Sequence, residues 1–101
     1  MLKRNVEQLS KRELDIILAL WITGHTASDH RRQPFFARNG ILELGDEKNL
    51  KVSDPDFLEL IDAGYLEPIQ GGVSYIFTAD TDDIFDDVTT EYRERLSGGT
   101  E

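Results

Sequence analysis

The chain contains no cysteine in its 101 residues, which excludes disulfide frameworks, thiolate metal sites and cysteine nucleophiles. Histidine is nearly as scarce: His25 and His30 are the only two, leaving little for an imidazole-based metal or catalytic centre. No apolar run approaches the roughly 18 residues of a membrane span, and no signal-peptide pattern opens the sequence, so a cytoplasmic location is expected. What is present is globular in character. At 39% hydrophobic and 31% charged residues, the composition supports one modest core, and 101 residues is a common size for one domain. The reading is a single domain over 1–96 with an unstructured tail over 97–101, where Ser97-Gly98-Gly99-Thr100-Glu101 offers nothing to bury.

Charge is unevenly spread. The net charge is −9, yet residues 1–40 hold seven bases against four acids, a net of +3. Residues 41–101 hold four bases against sixteen acids, a net of −12. Such asymmetry between halves hints at an electrostatic partner surface, although acidity also serves solubility alone.

The first helix announces itself. Ser10-Lys11-Arg12-Glu13 has the form of a capping box, flanked by Leu9 and Leu14 at staple spacing. Leu14, Ile17, Leu18 and Trp21 then repeat at helical spacing, widened by Ile16, Leu20 and Ile22, which predicts a buried helix over 11–23 stopped at Gly24. Residues 25–33 read as a loop, and Pro34 as the start of a short helix through Phe35, Phe36 and Ala37 that ends at Asn39-Gly40. Two adjacent phenylalanines cannot both face inward from a short helix, so one is expected to be partly exposed. Ile41–Leu44 reads as a short strand, and residues 45–49 as a turn leading to Leu50-Lys51-Val52.

The pattern sharpens again at Ser53 and Asp54, either of which can cap a helix with Pro55 in its first turn and Phe57, Leu60 and Ile61 on one face. Gly64 closes it. Residues 65–69 and 73–77 form a hairpin around Gln70-Gly71-Gly72, with Pro68 requiring its strand to pair through the opposite edge. Trp21 is expected to meet this hairpin and the last helix. That helix starts near Thr78–Thr81 and runs to about Leu96, with Phe85, Val88, Tyr92 and Leu96 on one face, acids at its start and Arg93 and Arg95 at its end.

Leu60-Ile61-Asp62-Ala63-Gly64-Tyr65-Leu66-Glu67-Pro68, followed by Gly71-Gly72-Val73-Ser74-Tyr75-Ile76-Phe77-Thr78, resembles the end of a winged-helix domain. The resemblance implies an α+β, winged-helix-like fold of three to four helices, a hairpin over 65–77 in the C-terminal half and a final amphipathic helix. It also implies DNA binding, with the helix before the hairpin in the major groove and the wing on the backbone. The residues resist that function. The corresponding helix carries Asp54, Asp56, Glu59 and Asp62 and no base, which is repulsive towards phosphates.

No catalytic set emerges. Asp80-Thr81-Asp82-Asp83 with Glu91 has the length of a calcium loop, but Ile84 and Phe85 stand where an oxygen ligand and a glycine are needed. Asp56 lacks the acid-X-lysine partner of a nuclease carboxylate, and His25, Asp29 and His30 lack a fourth ligand. A non-enzyme without metal or cofactor is therefore expected. The leading functional reading is a protein-binding module, an adaptor or inhibitor that mimics DNA. Its acidic face (Asp54, Asp56, Glu59, Asp62, Asp80, Asp82, Asp83, Asp86 and Asp87) would engage a basic, nucleic-acid-handling protein. Two alternatives stand beside it. One is a transcriptional regulator of the same fold, dimeric through the last helix, binding duplex DNA through Lys3, Arg4, Lys11, Arg12, Arg31, Arg32 and Arg38; for the chain as a whole a monomer or homodimer is expected. The other is a structural or assembly subunit using Phe35 and Phe36, which with Arg31, Arg32 and Arg38 also make a basic and aromatic patch suited to phosphates and bases or to a protein interface.

Overall fold

The computed structural model describes residues 2–25, 34–44 and 48–98. In chain order these form a short 3₁₀ turn (Val6–Gln8), α1 (Lys11–His25), β1 (Phe35–Arg38), β2 (Ile41–Leu44), β3 (Lys48–Lys51), α2 (Pro55–Ala63), β4 (Leu66–Ile69), β5 (Ser74–Phe77), α3 (Ala79–Asp83) and α4 (Phe85–Gly98). The fold is α+β: an N-terminal helix, a five-stranded antiparallel sheet in the order β3-β2-β1-β5-β4, and a C-terminal helix. Among the described residues, no helix is long and apolar enough to cross a membrane.

The capping box is made in full. The Glu13 amide donates to Ser10 Oγ at 3.1 Å, and the Ser10 amide donates to Glu13 Oε1 at 2.8 Å. Leu9, Leu14, Ile17 and Leu20 are buried, each contributing about 1.5–3 kcal/mol of hydrophobic stabilisation. The helix does not stop at Gly24 but continues to His25.

α2 follows its signals at both ends. The Asp54 carboxylate accepts from the Asp56 amide, Pro55 opens the helix, and Gly64 takes the left-handed conformation (φ 95°) that closes it. The hairpin β4–β5 forms with Leu66 opposite Phe77 and Pro68 opposite Tyr75, and β4 lies at the sheet edge, where a residue without an amide is tolerated. Trp21 meets this hairpin at Phe77 (ring centroids 6.0 Å apart) and stacks on Phe85 of α4 at 4.0 Å.

Three expectations are corrected. The short helix over 34–39 is strand β1, whose Phe35 and Phe36 pair with Tyr75 and Ser74 of β5 while Ala37 and Arg38 pair with Leu42 and Ile41 of β2. Asn39 (φ 54°) and Gly40 (φ 74°) both adopt positive φ, the requirement of the two-residue hairpin turn that suits strand twist. Second, the topology is not the usual winged-helix one. The β2–β3 hairpin, with Leu42 opposite Leu50, occupies the chain between β1 and α2, so no helix-turn-helix precedes α2 among the described residues. Third, the single last helix is two, broken at Ile84 (φ −116°, ψ 16°). Leu96 does not reach the core but is 52% exposed, and α4 continues to Gly98, into the stretch expected to be unstructured. Residues 99–101 lie outside the described residues.

The sheet's inner face carries Phe35, Tyr75, Phe77, Leu66, Leu42 and Leu50 against the helices, with Phe35 edge-on to Phe77 and Phe57 of α2 edge-on to Tyr75. Thr78 and Thr81 fix the entry to α3. Thr78 Oγ1 donates to the Gly64 carbonyl at 2.7 Å, and the buried Thr81 Oγ1 donates to the Tyr65 carbonyl at 2.6 Å.

Candidate functional site

The acids of α2 do not form a free field. Arg12 of α1 holds Asp54 through two bonds of 2.7 Å, fork to fork, and reaches Asp56 with the same guanidinium. The Arg12 guanidinium, helped by the Asp56 amide, lowers the Asp54 carboxyl to about 2, and the two carboxylates raise Arg12 in turn. Arg4 makes a second set of ion pairs further along. Its guanidinium bonds Glu59 at 2.7 Å and the buried Glu13 at 3.0 Å, and donates to the Gln8 carbonyl. Of the four α2 acids, Asp62 alone is exposed with no ion pair to either arginine.

The basic N-terminal half therefore spends two of its arginines on the acidic C-terminal half of the same molecule. Lys3, Lys11 and Arg38 are exposed, while Arg31 and Arg32 lie outside the described residues, as do Asp29 and His30. The basic and aromatic patch is also divided. Phe35 points inward onto Phe77, and Phe36 points outward at 60% exposure. One phenylalanine is exposed as expected, but the cause is strand alternation.

A second group of acids stands where α3 meets α4. Asp83, at the end of α3, and Asp86 and Asp87, in the first turn of α4, are exposed. Asp80 is half-buried and the Asp82 side chain lies outside the described ones. Beside them runs a groove of about 460 Å³ between the N-terminal segment and α4, with Leu2, Val6 and Ile84 as its apolar part and Glu7, Asp87, Glu91 and Glu94 around it. The chain matches no protein-family model, and no curated protein or solved structure is significantly similar to it.

The groove's walls are held in place by specific contacts. The Lys3 amide donates to the Ala63 carbonyl at 2.8 Å, and buried Tyr65 donates its hydroxyl to the Arg4 carbonyl at 2.7 Å. Burial raises the Tyr65 phenol above its ordinary range. On the other wall Arg95 pairs with Glu91 at 2.9 Å and donates to the backbone carbonyls of Leu9 and Glu7. Glu7, Glu94, Leu2 and Val6 were not among the sequence candidates. The signal for Glu94 is in the sequence: Asp87, Glu91 and Glu94 recur at helical spacing on one side of α4. The docking of residues 2–9 on that helix has no local signature.

Chemically, the arrangement suits recognition of cations. Carboxylates fixed on a helix beside an apolar strip complement the ammonium or guanidinium heads and the aliphatic stems of lysine and arginine.

Proposed function

We propose that this chain is a non-enzymatic protein-binding module that engages a basic protein through the α3–α4 acids and the groove beside them, as an adaptor or inhibitor. One observation carries the reading. Arg4 and Arg12 neutralise Asp54, Asp56 and Glu59 internally, whereas Asp83, Asp86 and Asp87 stand exposed together where α3 meets α4. The same pairing weakens the duplex-binding alternative, because two of the bases it needs are already committed to carboxylates. A nucleic-acid-handling protein is a natural partner class, since its phosphate-binding surface is basic and would accept a rigid row of carboxylates.

The test is differential capture. Immobilised wild type and the variant D83N/D86N/D87N are exposed to the same host extract, and bound proteins are identified by mass. The reading expects a basic protein on the wild type that the variant loses and that elutes as salt rises. Identical captured sets on both, or tight binding of ordinary duplex DNA by the wild type, would replace it with the alternative.

A further inference from the structure

The sheet has two faces, and among the described residues the helices cover only one. Residues paired across an antiparallel sheet project to the same side, so the register assigns Phe36, Ser74 and Ile69 to one row of the outer face. Ile76 and Glu67 lie in the next row on one side, and Arg38, Ile41 and Lys51 in the next row on the other. Phe36 is 60% exposed, and none of Phe36, Ile41, Ile69 and Ile76 belongs to the core or packs against it. Ser74 stands in the middle of this face and is nonetheless fully buried, its hydroxyl 3.4 Å from Gln70 Oε1. Phe36 is thus an exposed apolar side chain with the half-buried Ile41, Ile69 and Ile76 in its own and adjacent rows, an apolar surface of the kind that marks an interaction site.

The charges around the patch say what covers it. The outer face carries two exposed bases, Arg38 and Lys51, and two exposed acids, Glu43 and Glu67, so it is electrically neutral on a chain of net −9. A basic partner has no reason to select it. A second copy of the same acidic chain is repelled by the acidic surface elsewhere and meets no net repulsion here. The face is also self-complementary. With strands about 4.8 Å apart and alternate residues about 6.6 Å apart, a two-fold axis through Ser74 sets Arg38 of one copy over Glu67 of the other. The same axis brings Phe36 of each copy close to Ile76 of the other.

We infer that the outer face of the sheet is the interface of a homodimer, packed sheet on sheet about a two-fold axis near Ser74. This surface is separate from the α3–α4 acids and does not depend on the function proposed for them.

Sedimentation equilibrium over about 1 µM to 1 mM covers the range of a small interface of this kind. The expected result is a monomer–dimer equilibrium that F36D weakens by about tenfold or more, with the far-UV circular dichroism unchanged because Phe36 lies outside the core. The charge swap is the sharper arm. R38E and E67R should each weaken the dimer, and R38E/E67R should restore it, since the two-fold pairs each reversed charge with the other. A wild type that stays monomeric throughout, or a dimer indifferent to F36D and to the single reversals, would overturn the inference. A double variant no better than the singles would overturn the Ser74 axis.

Discussion

Removing the Arg4 side chain should destabilise this fold more than any other single surface change. Arg4 bonds Glu13 with both terminal guanidinium nitrogens, bonds Glu59 of α2, and donates to the Gln8 carbonyl, so one side chain ties the N-terminal turn to two helices. The decisive partner is Glu13, whose side chain is 4% exposed where that of Arg4 is 30%. Breaking a fully buried pair by removing one partner costs about 3–5 kcal/mol, because the remaining charge is left uncompensated. Here the Ser10 amide still serves Glu13, and water can enter where Arg4 stood, so about 2–3 kcal/mol is expected for R4A. For a domain of this size that is a fall in Tm of roughly 10–20 °C, measurable by calorimetry or circular dichroism. The Glu59 arm lies at the surface and adds little. The mechanism makes a second demand. If the cost is a stranded carboxylate, then E13Q added to R4A should recover part of the loss, although E13Q alone is destabilising. An R4A/E13Q variant less stable than R4A, or an R4A Tm within a few degrees of wild type, would refute the reasoning.

Further outcomes follow from the same contacts. The Arg12 clamp lowers Asp54 to about 2 in the folded chain, against about 3.9 unfolded, so its stabilisation is complete above about pH 4 and is lost as pH falls towards 2. R12Q should therefore cost about 1 kcal/mol at pH 7, discounted because Arg12 is half exposed, and the gap from wild type should close between about pH 4 and 2 in acid-unfolding curves. G40A should cost about 1 kcal/mol or more in urea unfolding. The added Cβ has room, its nearest neighbour being Val52 at 3.8 Å, so the penalty comes from φ +74° in the hairpin turn.

The parts of the fold visible in the sequence are those fixed by neighbours a few residues apart. Ser10 and Glu13 cap α1 across one turn, and Asp54, Pro55 and Gly64 bound α2 in the same local way. Strand β1 was hidden because Asn39-Gly40 serves equally as a helix stop and as a hairpin turn. What decides between them is a partner, β5, far along the chain. The break at Ile84 is similar in kind, since continuous helical spacing runs through it and only the docking of α3 under Thr78 and Thr81 interrupts it.

The candidate site divides along the same line. The charge asymmetry between the halves was plain, but its reading as a surface for an outside partner took no account of Arg4 reaching Glu59 and Arg12 reaching Asp54. Pairing at that separation has no local signature. The acids Asp86 and Asp87 are legible because the α4 apolar face, Phe85, Val88 and Tyr92, leaves them pointing outward.

The central claim is that these α3–α4 carboxylates are a binding surface and not solvation alone. Its most direct measurement is stopped-flow association of the captured basic partner with wild type and with D83N/D86N/D87N, at low and high salt. Electrostatic steering predicts a wild-type rate that falls steeply as salt rises, and a variant slower by about tenfold or more at low salt, with the two converging at high salt. Equal rates for the two proteins, with no dependence on salt, would contradict it.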